Sequence, residues 1–386
     1  FCNAQWTQDL INHFIRTMYR KAKIAGKGQP LHFETSSVPP APPGMVRVKT
    51  AFAGVCHSDL HIMNDHFGTF KVHGDENMKL MVMGHEISGY IDQIGEGINL
   101  DKYGLCVGGK VLVYPWVGCS SCSVCEAGHS HVCTTPGAQN IGCGPNAPGG
   151  FQTHMMVRPQ ALLKVPDEIP MEVACMLPCS AGTAYSALKK LEDAVCFGKL
   201  RSGKARLLII GAGGLGLWAI QIAKALYPEI HLIVADISES KFPLAETYGA
   251  DETVLWKISA EPSENAEAIL ENGGADAVAD FCGNGATFKT ALQCLSPKGT
   301  LAVVGMSGGT TDVNIQDLIF KSISICGNLT LTIEQMIEVI KLVSQSNIKY
   351  PGCVYFPFEK LNEVLAKLQQ GKINGRAIID FKNNHA

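Results

Sequence analysis

Apolar and polar residues alternate through Met45-Val46-Arg47-Val48-Lys49-Thr50-Ala51-Phe52-Ala53, the pattern of a strand with one buried face. Pro39, Pro40, Pro42, Pro43 and Gly44 before it form a turn-rich lead-in. Further short strands are expected at 87–94 and 110–114, so the first third reads as an antiparallel β domain with long loops. After Cys179 the rhythm changes, and strand-like apolar runs at 206–211, 231–236, 253–255, 277–280, 300–305 and 322–326 alternate with helical stretches such as 215–226. Six strands alternating with helices predict a doubly wound parallel sheet, which makes the chain an α/β protein. From about residue 329 a helix at 332–344, a stretch at 351–357 and a helix at 358–370 follow. A mononucleotide-binding sheet is complete before them, so they are assigned back to the first domain. The expected division is 1–181 with 329–386, against 182–328.

Composition agrees with that picture and excludes several partners. The 386 residues, 46% hydrophobic with 40 glycines, suit a globular chain of two or three domains. A net charge of −3 without a block of like charges argues against nucleic acid. No apolar run of about 18 residues suggests a membrane span. The first residue is Phe1; residues 1–16 include Asp9, His13 and Arg16 and lack the apolar core of a secretory signal, and Met18 is an alternative start. Fifteen cysteines in so long a chain read as metal ligands in a reducing compartment rather than a disulfide framework, so the cytoplasm is the expected location.

Two cysteine patterns carry the metal reading. Cys119, Cys122 and Cys125 stand at steps of three and Cys133 follows eight residues later, a spacing that wraps one closed tetrahedral zinc. Free thiols in a loop are the competing reading, and an exposed tetrad of them would be prone to oxidation. The other cluster is Cys56-His57-Ser58-Asp59-Leu60-His61, where thiolate and imidazole suit zinc. Cys56 supplies one ligand, and His85, behind a glycine expected to bring the backbone close to the metal, supplies the next. Cys179 or Cys175 supplies the third. Three ligands from separate segments leave a fourth position open, as in a catalytic site.

Gly211-Ala212-Gly213-Gly214-Leu215-Gly216 fits G-x-G-x-x-G, follows an expected strand, opens a helix and lies 25 residues before Asp236 at the end of the next strand. The glycines permit a tight turn and close approach of a pyrophosphate to the helix N-terminus. Asp236 would accept hydrogen bonds from the adenosine ribose and repel a 2′-phosphate, and no arginine follows it closely, which favours NAD over NADP.

With these motifs, and with Gly84-His85-Glu86, Cys179-Ser180-Ala181-Gly182 and Gly371-Lys372-Ile373-Asn374-Gly375-Arg376, the sequence resembles the zinc-containing alcohol dehydrogenases of the medium-chain dehydrogenase/reductase superfamily over roughly residues 18–383. The resemblance implies a GroES-like β domain joined to a Rossmann domain. It implies two zinc ions per chain: a catalytic one on Cys56, His85 and Cys179, which Pro178 and the small residues around it favour over Cys175, and a structural one on the four-cysteine lobe. It implies a proton relay from a zinc-bound alcohol through Ser58, the cofactor ribose and His61 to water, with hydride passing to NAD⁺ to give an aldehyde or ketone. It also implies that Asp59 orients His85 and that Glu86 lies near the metal as a transient ligand. His57 and Arg376 would face the cofactor pyrophosphate, Lys241 the adenosine ribose, and Val304 the cofactor. By the same resemblance Met63, Phe67, Tyr114 and Trp116 could line a pocket for an apolar or aromatic alcohol. The other cysteines, including Cys106, Cys143, Cys282 and Cys326, are assigned to core packing, and His66, His73, His129, His131 and His154 to the surface.

Two features depart from or refine the resemblance. The 28 residues between Cys56 and His85 exceed the family's usual interval and predict an enlarged loop at 67–79. The short interval from Cys133 to Cys179 resembles the tetrameric branch, so a homotetramer is expected over a dimer. A zinc-free quinone or enoyl reductase on the same fold, and a nucleotide-binding protein without catalysis, are the competing readings; the complete ligand set and relay disfavour both.

Overall fold

A computed structural model describes residues 18–135, 137–346, 348 and 352–382. The segment 1–16 and Cys2 lie outside the described residues. Seven strands come first: β1 Tyr19–Lys23, β2 His32–Ser36, β3 Val46–Val55, β4 Glu86–Ile94, β5 Lys110–Val113, β6 His154–Val157 and β7 Leu162–Lys164. Six follow in the middle of the chain: β8 Arg206–Ile210, β9 His231–Asp236, β10 Glu252–Leu255, β11 Ala275–Asp280, β12 Leu295–Val303 and β13 Ser324–Gly327. The last two are β14 Cys353–Pro357 and β15 Arg376–Asp380. The chain packs as two units, Phe1–Cys179 with Gly352–Ala386, and Ser180–Pro351.

In the first unit the sheet runs β14-β15-β3-β4-β5-β7, with β6 also paired to β3. The alternation read at 45–53 holds only for the first half of β3; from Thr50 onward every residue is buried, because that half is covered on both faces. All pairs are antiparallel except β14 with β15, which run parallel. The helix Leu361–Gln369 connects them as a crossover and buries Leu361, Val364, Leu365 and Leu368. Two apolar clusters fill the unit. One is built on Val55, Leu60, Met78, Met81, Phe151 and Ile379, the other on Val48, Ile87, Val111 and Leu162. The expected loop at 67–79 instead forms two short helices, Thr69–His73 and Asp75–Met78, pinned to the first cluster by Met78.

The second unit holds six parallel strands in the order β10-β9-β8-β11-β12-β13. β8, β9 and β11 are buried nearly throughout, as strands covered on both faces must be. The division at 329 is corrected: residues 329–351 stay with this unit. The helix Ile333–Gln345, capped by Thr332, turns Met336, Val339 and Val343 inward and packs on Gly182–Lys189, where Tyr185 Oη donates to Glu338 Oε2 at 2.8 Å. Burying that amphipathic face outweighed the completeness of the sheet in placing the segment.

Candidate metal and dinucleotide sites

The pairing of β3 with β4 builds the first site. Gly54 lies opposite Glu86, so Cys56 just past the end of β3 and His85 just before β4 meet at one edge of the sheet. Cys56 caps the helix His57–Met63, and Asp59, three residues on, reaches back so that its Oδ2 accepts the Cys56 N–H at 2.8 Å. The local sequence thus fixes the backbone of the ligand itself. Cys179 stands in a π-helical turn, Leu177–Ala181, a form that recurs at functional sites. Trp116, beyond β5, donates from Nε1 to the Pro178 carbonyl at 2.9 Å and holds that turn against the sheet.

Cys56, His85 and Cys179 are all buried, and their ligand atoms lie within 4.8 Å of one another. The two sulfurs are 4.0 Å apart, close to the roughly 3.8 Å set by two 2.3 Å zinc–sulfur bonds at a tetrahedral angle. Neither ring nitrogen of His85 has a hydrogen-bond partner, and Nδ1 stands 3.4 Å from Asp59 Oδ1. A buried polar atom without a partner costs about 1–3 kcal/mol, which a cation bound at Nε2 would relieve. The donor set therefore fits a zinc ion. Hydrogen bonding from Cys179 holds the Cys56 thiol well below its ordinary range, and the same contact raises Cys179, so the pair shares a proton where a cation would sit. Burial opposes a charge on His85, but the sulfurs of Cys143 and Cys179 and the Asp59 carboxylate outweigh it and raise its pKa.

The four-cysteine lobe lies between β5 and β6. Its short helices, Ser123–Glu126 and Ser130–Val132, bury no side chain. Cys119 and Cys125 have sulfurs 3.9 Å apart, as do Cys122 and Cys133, and all four gather within 4.8 Å. Hydrogen bonds from the Ser121 backbone, then from Thr135, push Cys119 down to about 5, which favours the thiolate that zinc binds. Gly118 is required here, since its φ is +66° and a Cβ would lie 2.7 Å from Cys125 Sγ.

In the second unit the strand order reverses between β8 and β11, the switch point where doubly wound sheets bind ligands. The glycines after β8 divide the work. Gly211 takes φ +95°, Gly213 has open space where a Cβ would stand, and a Cβ on Gly216 would lie 1.8 Å from the Gly211 carbonyl. Asp236 Oδ2 accepts the Ala212 N–H at 2.7 Å, Oδ1 accepts the Ser238 N–H at 3.0 Å, and Lys241 Nζ donates to both oxygens. Gly214 and Leu215 open the helix Gly214–Leu226 half-buried, and Val304 follows β12 with its N–H on the Asp280 carbonyl. An open cradle at a helix N-terminus beside a carboxylate fits a dinucleotide.

Comparison with known proteins agrees. Residues 42–167 match the alcohol dehydrogenase GroES-like domain and residues 214–345 the zinc-binding dehydrogenase family. The chain is 30% identical over 364 residues to an NAD-dependent alcohol dehydrogenase of Sulfolobus acidocaldarius, covering 93% of this chain and 99% of that one. The chain belongs to the zinc-type alcohol dehydrogenase family. An alcohol dehydrogenase of Geobacillus stearothermophilus is 30% identical over 348 residues, covering 88% of this chain and 93% of that one. The alcohol dehydrogenase structure from Aeropyrum pernix superposes with a TM-score of 0.79 at 29% identity, covering 94% and 99% of the two chains. Acetophenone reductase from Geotrichum candidum, solved with NAD, gives 0.76 at 29% identity, covering 95% and 98%. As a member, the chain is an alcohol dehydrogenase oxidoreductase.

Other residues named from the sequence distribute unevenly in this family member. Ser58 Oγ lies 3.7 Å from Cys56 Sγ. Glu86 and Arg376 form a buried two-point ion pair, with Arg376 Nε 2.9 Å from Glu86 Oε2 and its Nη2 on Oε1, so each is engaged by the other. His57 is exposed beside Cys56. The Trp116 ring stands 5.6 Å from His85 and the half-exposed Phe67 ring 5.4 Å from His61, whereas Met63 packs into the core and Tyr114 is buried.

Three expectations are corrected. Gly84 is a glycine because its φ is +93° and a Cβ would lie 2.6 Å from the Phe151 ring, not for approach to a metal. Cys106 and Cys196 are exposed and Cys326 is only half-buried, whereas Cys143 and Cys282, also half-buried, pack against apolar core clusters as expected. Cys143 lies near enough to His85 to help raise its pKa, a proximity its sequence neighbourhood does not signal. His154 is buried in β6, whereas His66 is exposed as expected and is joined to His61.

No described helix is long and apolar enough to cross a membrane.

Proposed function

We propose that the chain is a zinc- and NAD-dependent alcohol dehydrogenase that oxidises a primary or secondary alcohol to an aldehyde or ketone. The observation that carries this reading is the convergence of Cys56, His85 and Cys179, with Nε2 of the buried His85 ring lacking a hydrogen-bond partner. Zinc held there would supply Lewis acidity that favours loss of the alcohol proton, and NAD would supply the hydride acceptor. The chain's own residues do the rest. Asp59 holds Cys56 through its N–H and stands against His85, orienting two ligands at once. Ser58, beside Cys56, accepts the alcohol proton and passes it towards His61. Burial, then His66 and His57, lower the His61 pKa, so its ring is neutral and able to accept near pH 7. In the second unit the Gly211–Gly216 turn receives the pyrophosphate, and Asp236, its oxygens otherwise held by Lys241, takes the adenosine ribose. The tetrahedral lobe Cys119, Cys122, Cys125 and Cys133 would hold a second, structural zinc.

Trp116 and Phe67, beside the two imidazoles, support an apolar or aromatic alcohol, and likeness to the acetophenone reductase points the same way. We read the assembly as a homotetramer in the cytoplasm. The test is NADH formation by zinc-replete protein with primary, secondary and aromatic alcohols, 1-phenylethanol among them, with NADP in parallel. Turnover with NAD is expected, and none on any alcohol would overturn the reading.

A further inference from the structure

The helix His57–Met63 ends in a cap that decides what stands beside His61. The Asp65 N–H bonds to the Ile62 carbonyl at 3.0 Å and the His66 N–H to the His61 carbonyl at 2.8 Å, with Asp65 at φ +59°. These two bonds and the left-handed residue between them are a Schellman motif, which brings the second residue past the cap against the third residue before it. Here those two are His66 and His61. Their Nδ1 atoms lie 2.8 Å apart and their rings 5.1 Å centre to centre. His66 is exposed while His61 is half-buried. Such a separation requires one ring to donate and the other to accept.

Resting on the relay reading of Ser58 and His61, we infer that His66 is the outward partner of His61, a positioning residue that carries the proton of the oxidised alcohol to solvent. A proton arriving at His61 Nε2 is matched by one leaving His61 Nδ1 for His66 Nδ1, and His66 releases its own from Nε2 to water or buffer. Proton number and charge balance at each transfer. The other charged groups around the pair are already engaged or set apart. Asp65 faces Lys27 at 3.4 Å and Cys56 is engaged with Cys179, while His57, one turn before His61 on the same helix, adds to the lowering of the His61 pKa and stands on the side away from His66 in sequence. On the helix Leu361–Gln369, which packs against this one, Glu363 is paired with Lys367 and with Lys360. The ring of Phe67 covers His61 on another side and offers no proton acceptor.

The test uses the full zinc-loaded chain and two variants, His66→Ala and His66→Gln. In ¹⁵N-histidine spectra, a readout independent of turnover, the His61 Nδ1 resonance should shift in both. In stopped flow with NAD and an alcohol that the parent oxidises, at low buffer, the first-turnover rate of NADH formation should fall about tenfold in both variants. Added imidazole should restore it. Glutamine can keep the hydrogen bond but cannot relay a proton, so recovery in His66→Gln without imidazole would reduce His66 to a structural prop and overturn the proposal. An unchanged or buffer-independent rate in both variants would overturn it as well, leaving the dehydrogenase reading intact. If the parent oxidises no alcohol, the dehydrogenase reading falls and the proposal with it.

Discussion

The two cysteine clusters offer nearly the same chemistry on opposite kinds of foundation. Cys56, His85 and Cys179 come from three segments, are buried, and are held by β3, β4, a helix cap and a π-helical turn. The lobe cysteines come from fifteen consecutive positions, 119 to 133, and the helices between them bury nothing. The first cluster is shaped by the fold, with each ligand held by an element that other contacts fix. The second has little but its thiols, and an ion there would organise the backbone around it. Three donors around an open position suit reaction, while four closing a tetrahedron suit support.

That contrast predicts opposite outcomes for one kind of substitution, and this is the largest effect expected. Cys56→Ser should lower kcat at least a thousandfold and bind one zinc fewer by elemental analysis, with Tm within a few degrees of the parent. Cys122→Ser should also lose one zinc, but with a lower Tm and early proteolysis near residues 119–133 while surviving molecules still turn over. If Cys122→Ser matched Cys56→Ser in activity and stability alike, the division into reactive and supporting sites would fail.

A smaller effect would sharpen the first half of the comparison. Asp59 holds the Cys56 N–H and faces His85 without itself being among the gathered ligands. Asp59→Asn should weaken zinc at that site by about 10- to 100-fold in a chelator competition and leave the lobe's zinc untouched. An equal loss from both sites would mean that Asp59 supports the unit as a whole.

The same contrast explains what the sequence made legible. The lobe could be read from spacing, because all its ligands are neighbours in the chain. The buried cluster could be read only by residue type and family resemblance, since the Gly54–Glu86 register that joins Cys56 to His85 is a tertiary fact. The strand–glycine–helix order of the nucleotide site was legible because the turn chemistry is local. What escaped depended on packing: the parallel pairing of β14 with β15, the allegiance of 329–351, the burial of His154, and the cap that turns His66 onto His61. Gly84 shows the limit well, since its positive φ is local but the Phe151 ring that closes on it lies 67 positions away.

Acid strips zinc from thiolates, so using pH to compare the two clusters requires knowing how the surrounding protein answers acid by itself. His154, in the strand that follows the lobe, is 7% exposed, and burial pushes its pKa down to about 4; nearby Asp92 works against that shift, and Arg47 and Lys49 add to it. The unfolded chain, with an ordinary histidine near 6.5, binds more protons than the folded one between those two values. Stability from the neutral ring is therefore complete above about pH 6.5, falls as pH drops towards 4, and falls no further below that. A displacement of that size is worth at most about 3 kcal/mol, a few degrees of Tm in a protein of this length. His154→Gln should leave Tm at pH 7.5 nearly unchanged and make its decline between pH 6.5 and 4 shallower, read by scanning calorimetry on zinc-loaded protein. A decline as steep as the parent's would assign the acid response to the metal clusters, and the lobe, with the least protein structure behind it, would be the first place to look.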